Sequence, residues 1–141
     1  MTNIKIRGMY MQQITPQQAQ KKLSNGAILV DIREPSETAK QYIEAAEKWP
    51  LSHMPNHKPD IKRKKELIFF CRSGARTQMN AKKLDASFPN RSYIMQGGIS
   101  AWSGAKLPTK SHKNASVGGG LNSNYIIFGA LLLFASYYLL K

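Results

Sequence analysis

The residues best suited to chemistry in this chain lie in one short stretch, Cys71–Thr77, which reads CRSGART. This stretch follows an apolar run and precedes a helical pattern, and Gly74 lets the backbone curl without a side chain in the way. Backbone N–H groups in such a turn point inward, and both the following helix and two arginines add positive charge. A cysteine at the start of this anion-binding loop is expected to have a lowered pKa and to react as a thiolate.

The loop supplies most of the predicted site residues. Cys71 is the predicted catalytic nucleophile, and the alternative is an inert, buried cysteine that ends a strand. The substrate-binding residues are predicted to be the rest of the loop: Arg72, Ser73, Gly74, Ala75, Arg76 and Thr77. Asp31 and Arg33 are predicted to support the site, because the Asp31 carboxylate either pairs with Arg33 or a loop arginine, or caps an ordinary turn.

Short apolar runs bounded by polar residues predict the strands that position this loop. They lie at 27–30, 67–70 and 93–95. Helical patterns alternate with them at 16–23, about 36–43, 76–86 and a short segment that carries Trp102, which is predicted to lie in the core. The first helix has the clearest start, with Thr15 as N-cap, Pro16 next and Gln18 completing a capping box. The alternation indicates an α/β fold with a parallel sheet covered by helices on both faces.

Three motifs in order resemble the single-domain rhodaneses, which are sulfurtransferases that form a cysteine persulfide. Residues 29–33 (LVDIR) resemble the strand end D-[VI]-R, and residues 70–77 (FCRSGART) resemble the active loop C-R-S-G-x-R-[ST]. Residues 97–102 (GGISAW), followed by Leu107-Pro108, resemble the closing pattern G-G-x-x-A-W … L-P. The resemblance covers about residues 12–108 and implies a rhodanese-like sheet, most similar to bacterial rhodaneses fused to a C-terminal membrane segment.

The resemblance implies a sulfurtransferase of the thiosulfate sulfurtransferase class. The Cys71 thiolate would attack the outer sulfur of thiosulfate or a related sulfane donor, and sulfite would leave. The loop N–H groups would hold the persulfide until a thiol or protein acceptor takes the sulfur, which predicts ping-pong kinetics. No organic cofactor and no metal is implied, and the three histidines lack ligand-like spacing: His53, His57 and His112.

Alternatives to this activity remain open. Residues 41–46 (QYIEAA) match the family pattern G-H-I-P-G-A only at Ile43 and Ala46. Phosphatase and arsenate reductase relatives of the fold have five residues between the cysteine and the arginine, whereas four separate Cys71 from Arg76, so the shorter loop favours sulfur transfer. A membrane-tethered sulfur-relay or binding module for a partner protein needs the same Cys71 persulfide, and the sequence does not separate it from a free-standing enzyme.

A C-terminal membrane anchor is predicted at 125–140, where 16 residues carry no charge. A helix of this length spans roughly 24 Å, close to the hydrocarbon core of ~30 Å, and Tyr125, Tyr137 and Tyr138 suit its two interfaces. The alternative is a buried helix of a soluble domain, which would need a larger core than this chain can build. Because all but one of the 21 lysines and arginines precede the segment, we expect a single-pass protein of the bacterial inner membrane with a cytoplasmic domain.

The predicted organisation has four parts. They are an irregular N-terminal extension at 1–11, the rhodanese-like domain at 12–108, a flexible linker at 109–124 and the transmembrane helix at 125–140. Translation begins at either Met1 or Met11. The net charge of +13 fits attraction of the run Lys62–Lys65 (KRKK) to anionic lipid, and the lack of an interleaved aromatic stripe argues against a nucleic-acid partner.

Overall fold

A sheet of parallel strands forms the centre of the molecule, as the alternating pattern predicted. The computed structural model describes residues 11–112, apart from positions 55, 57, 58, 60 and 63. Within this part of the chain the strands are β1 (Gln12–Ile14), β2 (Ile28–Asp31), β3 (Ala46–Lys48), β4 (Leu67–Phe70) and β5 (Ser92–Met95). Their order is β1-β5-β4-β2-β3, and each neighbouring pair is parallel. The central strand is therefore β4, and the cysteine loop follows it directly.

The helices connect these strands. They are α1 (Pro16–Ser24), α2 (Pro35–Thr38), α3 (Ala75–Met79), α4 (Ala81–Ser87) and α5 (Gly98–Gly104). The predicted capping box is present at α1, because the Gln18 N–H donates to the Thr15 hydroxyl over 3.1 Å and the Thr15 N–H donates to the Gln18 side chain over 2.8 Å. These two bonds satisfy backbone donors that the first helical turn leaves unpaired.

The core has two layers, one on each face of the sheet. Successive side chains of β4 alternate between them, so that Leu67 and Phe69 pack on one face and Ile68 and Phe70 on the other. Helix α4 covers the first face, while α1 and α5 cover the second, where Trp102 is buried as predicted. The prediction of helices on both faces is confirmed, and it explains why β4 is apolar along its whole length.

Two of the predicted helices differ from the structure. The helix expected at about 36–43 ends at Thr38, because Arg33 binds the Gln41 carbonyl and the backbone of Tyr42 pairs with that of Lys110. The helix expected at 76–86 is divided into α3 and α4 at Asn80, whose backbone leaves the helical region (φ −104°, ψ 6°). The Asn80 side chain donates to the Arg76 carbonyl over 2.8 Å, and the Asn80 backbone N–H donates to the same carbonyl over 3.1 Å.

The chain on either side of the predicted domain also contacts it. Met11 is buried in the core, and the backbone of Lys110 forms two hydrogen bonds with that of Tyr42, of 2.7 and 2.8 Å. No helix in the described part of the chain is long and apolar enough to span a bilayer. The predicted anchor at 125–140, residues 1–10 of the extension and residues 113–124 of the linker lie outside the described residues, so these predictions stay predictions.

Candidate active site

The cysteine loop begins at the carboxyl edge of the sheet, beside the end of β2. Phe70 is the last residue of β4, and it pairs with Asp31, the last residue of β2. Carboxyl ends of parallel strands meet at one edge, which is where open α/β sheets bind their ligands. This register brings the predicted nucleophile, Cys71, and the predicted supporting residues, Asp31 and Arg33, to the same edge.

The sulfur of Cys71 is buried within its loop and accepts a hydrogen bond there. Cys71 is 1% exposed. The Gly74 N–H donates to its Sγ over 3.2 Å, and the Thr77 hydroxyl oxygen lies 3.7 Å from the sulfur. Gly74 has a φ of 93°, a conformation that suits glycine, and it turns the chain so that this N–H faces back toward the thiol. Gly74 and Thr77 of the loop therefore both contact the sulfur.

The surroundings of Cys71 lower the pKa of its thiol. Burial is the largest single influence and acts in the opposite direction, because it disfavours the charged thiolate. The backbone N–H and hydroxyl of Thr77, together with the backbone N–H groups of Gly74 and Arg76, outweigh it by stabilising negative charge on the sulfur. This balance favours the thiolate form, which is the nucleophilic form of a cysteine.

Helix α5 contacts the cysteine loop through two backbone hydrogen bonds. The Ile99 N–H donates to the Cys71 carbonyl over 2.9 Å, and the Ser100 N–H donates to the Arg72 carbonyl over 3.1 Å. In a trans peptide the N–H points opposite to the carbonyl, so the N–H groups of Arg72 and Ser73 are directed away from α5. The contact fixes the orientation of two loop peptides before any substrate binds.

The two loop arginines differ in their contacts. The Arg76 guanidinium donates to the Glu37 carboxylate twice, from Nη1 to Oε2 over 2.8 Å and from Nη2 to Oε1 over 3.2 Å. The Arg72 side chain is exposed, and it forms no hydrogen bond or ion pair within the described part of the chain. The prediction that both side chains bind the donor stays a prediction, with Arg72 open to solvent and Arg76 already paired.

Asp31 and Arg33 form a buried ion pair with each other. Arg33 Nη2 donates to Asp31 Oδ2 over 2.7 Å, and its Nε and backbone N–H both donate to Oδ1. Arg33 also donates to the Gln41 carbonyl over 2.8 Å. The sequence left two partners open for Asp31, and in the structure its partner is Arg33. Through its bond to Gln41, Arg33 also holds the segment between β2 and β3 against the carboxyl edge of the sheet.

Among the remaining loop residues, Thr77 makes a side-chain contact, since its hydroxyl donates to the Gly74 carbonyl over 2.8 Å. Ser73 and Ala75 are exposed, and Thr77 is buried beside the thiol. Residues outside the predicted site also contact the loop, among them Glu37, which binds Arg76, and Gly98, which packs against Cys71. A local signal existed for Glu37, since Glu34 and Glu37 have capping-box spacing, but only the folded chain shows its partner 39 residues away.

The described part of the chain holds no cluster of metal-binding side chains at this site. In the described ranges, no three or more histidine, cysteine, aspartate or glutamate side chains lie together in a way that would hold a metal ion. The site is therefore built from one thiol, backbone N–H groups, a hydroxyl group and charged side chains. These are groups that bind an anion next to a nucleophile.

The sheet order, the cysteine loop after the central strand and the helix that clamps it define a rhodanese-type domain. The rhodanese-like domain family matches residues 15–105, and the chain belongs to this family. The crystal structure of a rhodanese-like domain protein from Staphylococcus aureus is similar, with a TM-score of 0.58 and 26% identity, and the match covers 65% of this chain and 91% of that one.

Relatives of known sequence extend this comparison. An uncharacterized protein of Synechocystis is 32% identical over 133 residues, which cover 94% of this chain and 69% of that protein. A sulfurtransferase of Allochromatium vinosum is 35% identical over 81 residues, which cover 57% of this chain and 76% of that protein. The family and this relative together support a sulfurtransferase-type enzyme.

Proposed function

We propose that this protein is a sulfurtransferase that carries a sulfane sulfur as a persulfide of Cys71. The observation that carries the proposal is the buried Cys71 sulfur, with a lowered pKa and with the Gly74 N–H directed at it. The thiolate attacks the outer sulfur of thiosulfate, a new S–S bond forms, and the S–S bond of thiosulfate breaks. The electron pair of that bond leaves with sulfite, and the persulfide keeps the negative charge that the thiolate had.

The second half-reaction restores the enzyme. A nucleophilic acceptor, such as a thiol or cyanide, attacks the terminal sulfur of the persulfide, and the electron pair of the S–S bond returns to Cys71 as a thiolate. Loop N–H groups stabilise the charged sulfur in both states, and α5 fixes part of the loop in advance, so little reorganisation is needed during transfer. The Arg72 side chain attracts the anionic donor.

The size of the loop supports sulfur transfer over phosphoryl or arsenate chemistry. Four residues separate Cys71 from Arg76, and the Gly74 N–H already lies 3.2 Å from the sulfur. A ring this tight suits one terminal sulfur atom better than a tetrahedral phosphate. The proposal therefore includes no phosphatase or arsenate reductase activity.

The proposal also includes a membrane anchor at 125–140, with the domain on the cytoplasmic side of a bacterial inner membrane. The uncharged run and the position of the basic residues before it support this arrangement. Similarity to the Synechocystis protein covers 94% of the chain, so it includes part of the sequence beyond residue 112. Membrane fractionation of the full chain beside a chain that ends at residue 124 tests it, and an equal distribution of the two would contradict the anchor.

Steady-state kinetics of the full chain in detergent test the proposed activity. With thiosulfate as donor and cyanide as acceptor, we expect parallel double-reciprocal lines and no turnover by a Cys71→Ser variant. The same preparations should not hydrolyse p-nitrophenyl phosphate. Intersecting lines, or turnover that survives the loss of Cys71, would argue against a persulfide mechanism.

A further inference from the structure

Glu37 places a fixed negative charge next to the cysteine loop. Its carboxylate accepts two hydrogen bonds from the Arg76 guanidinium, of 2.8 and 3.2 Å, and one from the Glu34 N–H, of 3.1 Å. Both side chains of the ion pair are only partly exposed, Arg76 by 38% and Glu37 by 28%. The geometry is bidentate, the form in which an arginine and a carboxylate pair most firmly.

The ion pair is charged in the resting protein and lies within electrostatic reach of the sulfur. Arg76 lowers the pKa of Glu37, chiefly through the hydrogen bonds between them. Glu37 in turn raises the pKa of Arg76, to which the Cys71 thiolate and Glu34 add smaller effects in the same direction. The Glu34 carboxylate, which acts on Arg76, is itself held in place by the Ser52 hydroxyl, which donates to it over 2.8 Å.

The charges of Glu37 and Arg76 therefore nearly cancel. Glu37 neutralises Arg76, which leaves Arg72 as the loop side chain with an uncompensated positive charge in the described residues. With Arg76 neutralised, a doubly charged donor such as thiosulfate is attracted to the loop less strongly than two unpaired arginines would attract it. Coulomb energy is proportional to the charge of the donor. Neutralising Arg76 therefore costs a singly charged donor about half as much electrostatic attraction as it costs a dianion.

We propose that Glu37 is a specificity-determining residue that makes Cys71 accept sulfur from singly charged thiol persulfides in preference to thiosulfate. This inference rests on the proposed function of Cys71. In the transfer, the Cys71 thiolate attacks the terminal sulfur of R–S–S⁻, and a new S–S bond forms as the donor's S–S bond breaks. The electron pair leaves with the donor as the thiolate R–S⁻, so charge and atoms balance without any further reactant.

Two small donors that differ in charge rather than in shape make the test direct. Thiosulfate is a dianion, and methanethiosulfonate, CH3SO2S⁻, is a monoanion of similar size that leaves as methanesulfinate. A third donor, 2-hydroxyethyl persulfide, presents the reacting group shared by small and protein-bound persulfides. Under ping-pong kinetics with cyanide as acceptor, kcat/KM for each donor reports only the first half-reaction.

The full chain is compared with its Glu37→Gln variant, which keeps a hydrogen-bond acceptor for Arg76 but loses the charge. We expect kcat/KM to rise about tenfold for thiosulfate and about threefold for each monoanion, and these gains should shrink at high ionic strength. Glu37→Asp keeps the charge and should keep the wild-type order of donors. Glu66, the residue before β4, binds Lys22. The control variant Glu66→Gln removes this carboxylate and should leave kcat/KM unchanged for all three donors.

The outcomes separate the two proposals. An equal change for all three donors, a loss for thiosulfate, or the same result for Glu37→Asp and Glu37→Gln would show that Glu37 merely positions Arg76, and would overturn the inference. Thermal melting of each variant confirms that it is folded. If no donor adds sulfur to Cys71 of the wild-type chain, the proposed function itself fails.

Discussion

A Cβ atom placed on Gly98 would lie 2.2 Å from the carbonyl oxygen of Cys71 and 2.6 Å from that of Arg72. No side chain fits between α5 and the cysteine loop at this point, and the φ of Gly98 is 56°, a region that other residues adopt at a cost. The close approach lets the N–H groups of Ile99 and Ser100 reach those two carbonyls. The glycine pair after β5 therefore has a role in shaping the loop, which its place in a sequence motif does not reveal.

We first predict that Gly98→Ala damages both stability and chemistry. The new methyl group meets backbone atoms that cannot rotate away, so we expect a loss of about 3 kcal/mol in the free energy of unfolding. Gly104→Ala, at the end of the same helix, has open space around its Cβ and should leave stability unchanged or slightly higher. Urea unfolding of the three chains measures this, and a mild effect at Gly98 would contradict the contact.

The second prediction concerns Thr77→Val, which keeps the shape of the side chain but removes its hydroxyl group. Hydrogen bonds from Thr77 help to lower the pKa of Cys71, so the pKa should rise in the variant. Thiolate forms only as the pH rises through this pKa, so the curve of iodoacetamide alkylation rate against pH should move to higher pH. At neutral pH alkylation should slow several-fold. Thr77→Ser serves as the control, and an unmoved curve for Thr77→Val would show that the hydroxyl has no such role.

The third prediction tests the buried ion pair through Asp31→Asn. The substitution is nearly isosteric but leaves the buried Arg33 without its counter-charge, which should cost about 3 kcal/mol of unfolding free energy. Glu44→Gln removes a carboxylate from an exposed ion pair with Lys110 and should change stability little. Equal effects of the two substitutions in chemical denaturation would be inconsistent with this interpretation.

The fourth prediction separates the two loop arginines. Arg72 is exposed and unpaired among the described residues, so Arg72→Ala should leave the melting temperature unchanged. It should raise the KM for thiosulfate about tenfold, because the loop loses its uncompensated charge. Lys64→Ala makes the same change in net charge near the start of β4 and should leave KM as it is. An equal rise in KM for both variants would show that the effect depends only on the overall charge of the protein.

Features set by neighbouring residues were predictable from the sequence. The Thr15–Gln18 capping box is local, and the short apolar run Leu67–Phe70 indicates a strand buried on both faces. The three-residue strands β1 and β3 at the two edges were missed, because QQI and AEK carry no apolar run that would mark them.

Features that depend on distant residues could not be predicted in the same way. The prediction of a reactive Cys71 needs only local residues, since glycine, arginine and the helix start are adjacent in sequence. The pairing of Arg76 with Glu37 joins residues 39 apart, and the contact of Gly98 with Cys71 depends on how α5 packs against the sheet. The sequence therefore predicts Cys71 as the nucleophile, whereas the contacts of Glu37 and Gly98 with its loop are visible only in the folded structure.

The most direct test of the account is the intact mass of the full chain after incubation with a sulfane donor. We predict a gain of one sulfur atom with thiosulfate or 2-hydroxyethyl persulfide, reversed by cyanide and absent from Cys71→Ser. A Cys71 that reacts with iodoacetamide but gains no sulfur from either donor would contradict the claim that this loop carries a persulfide.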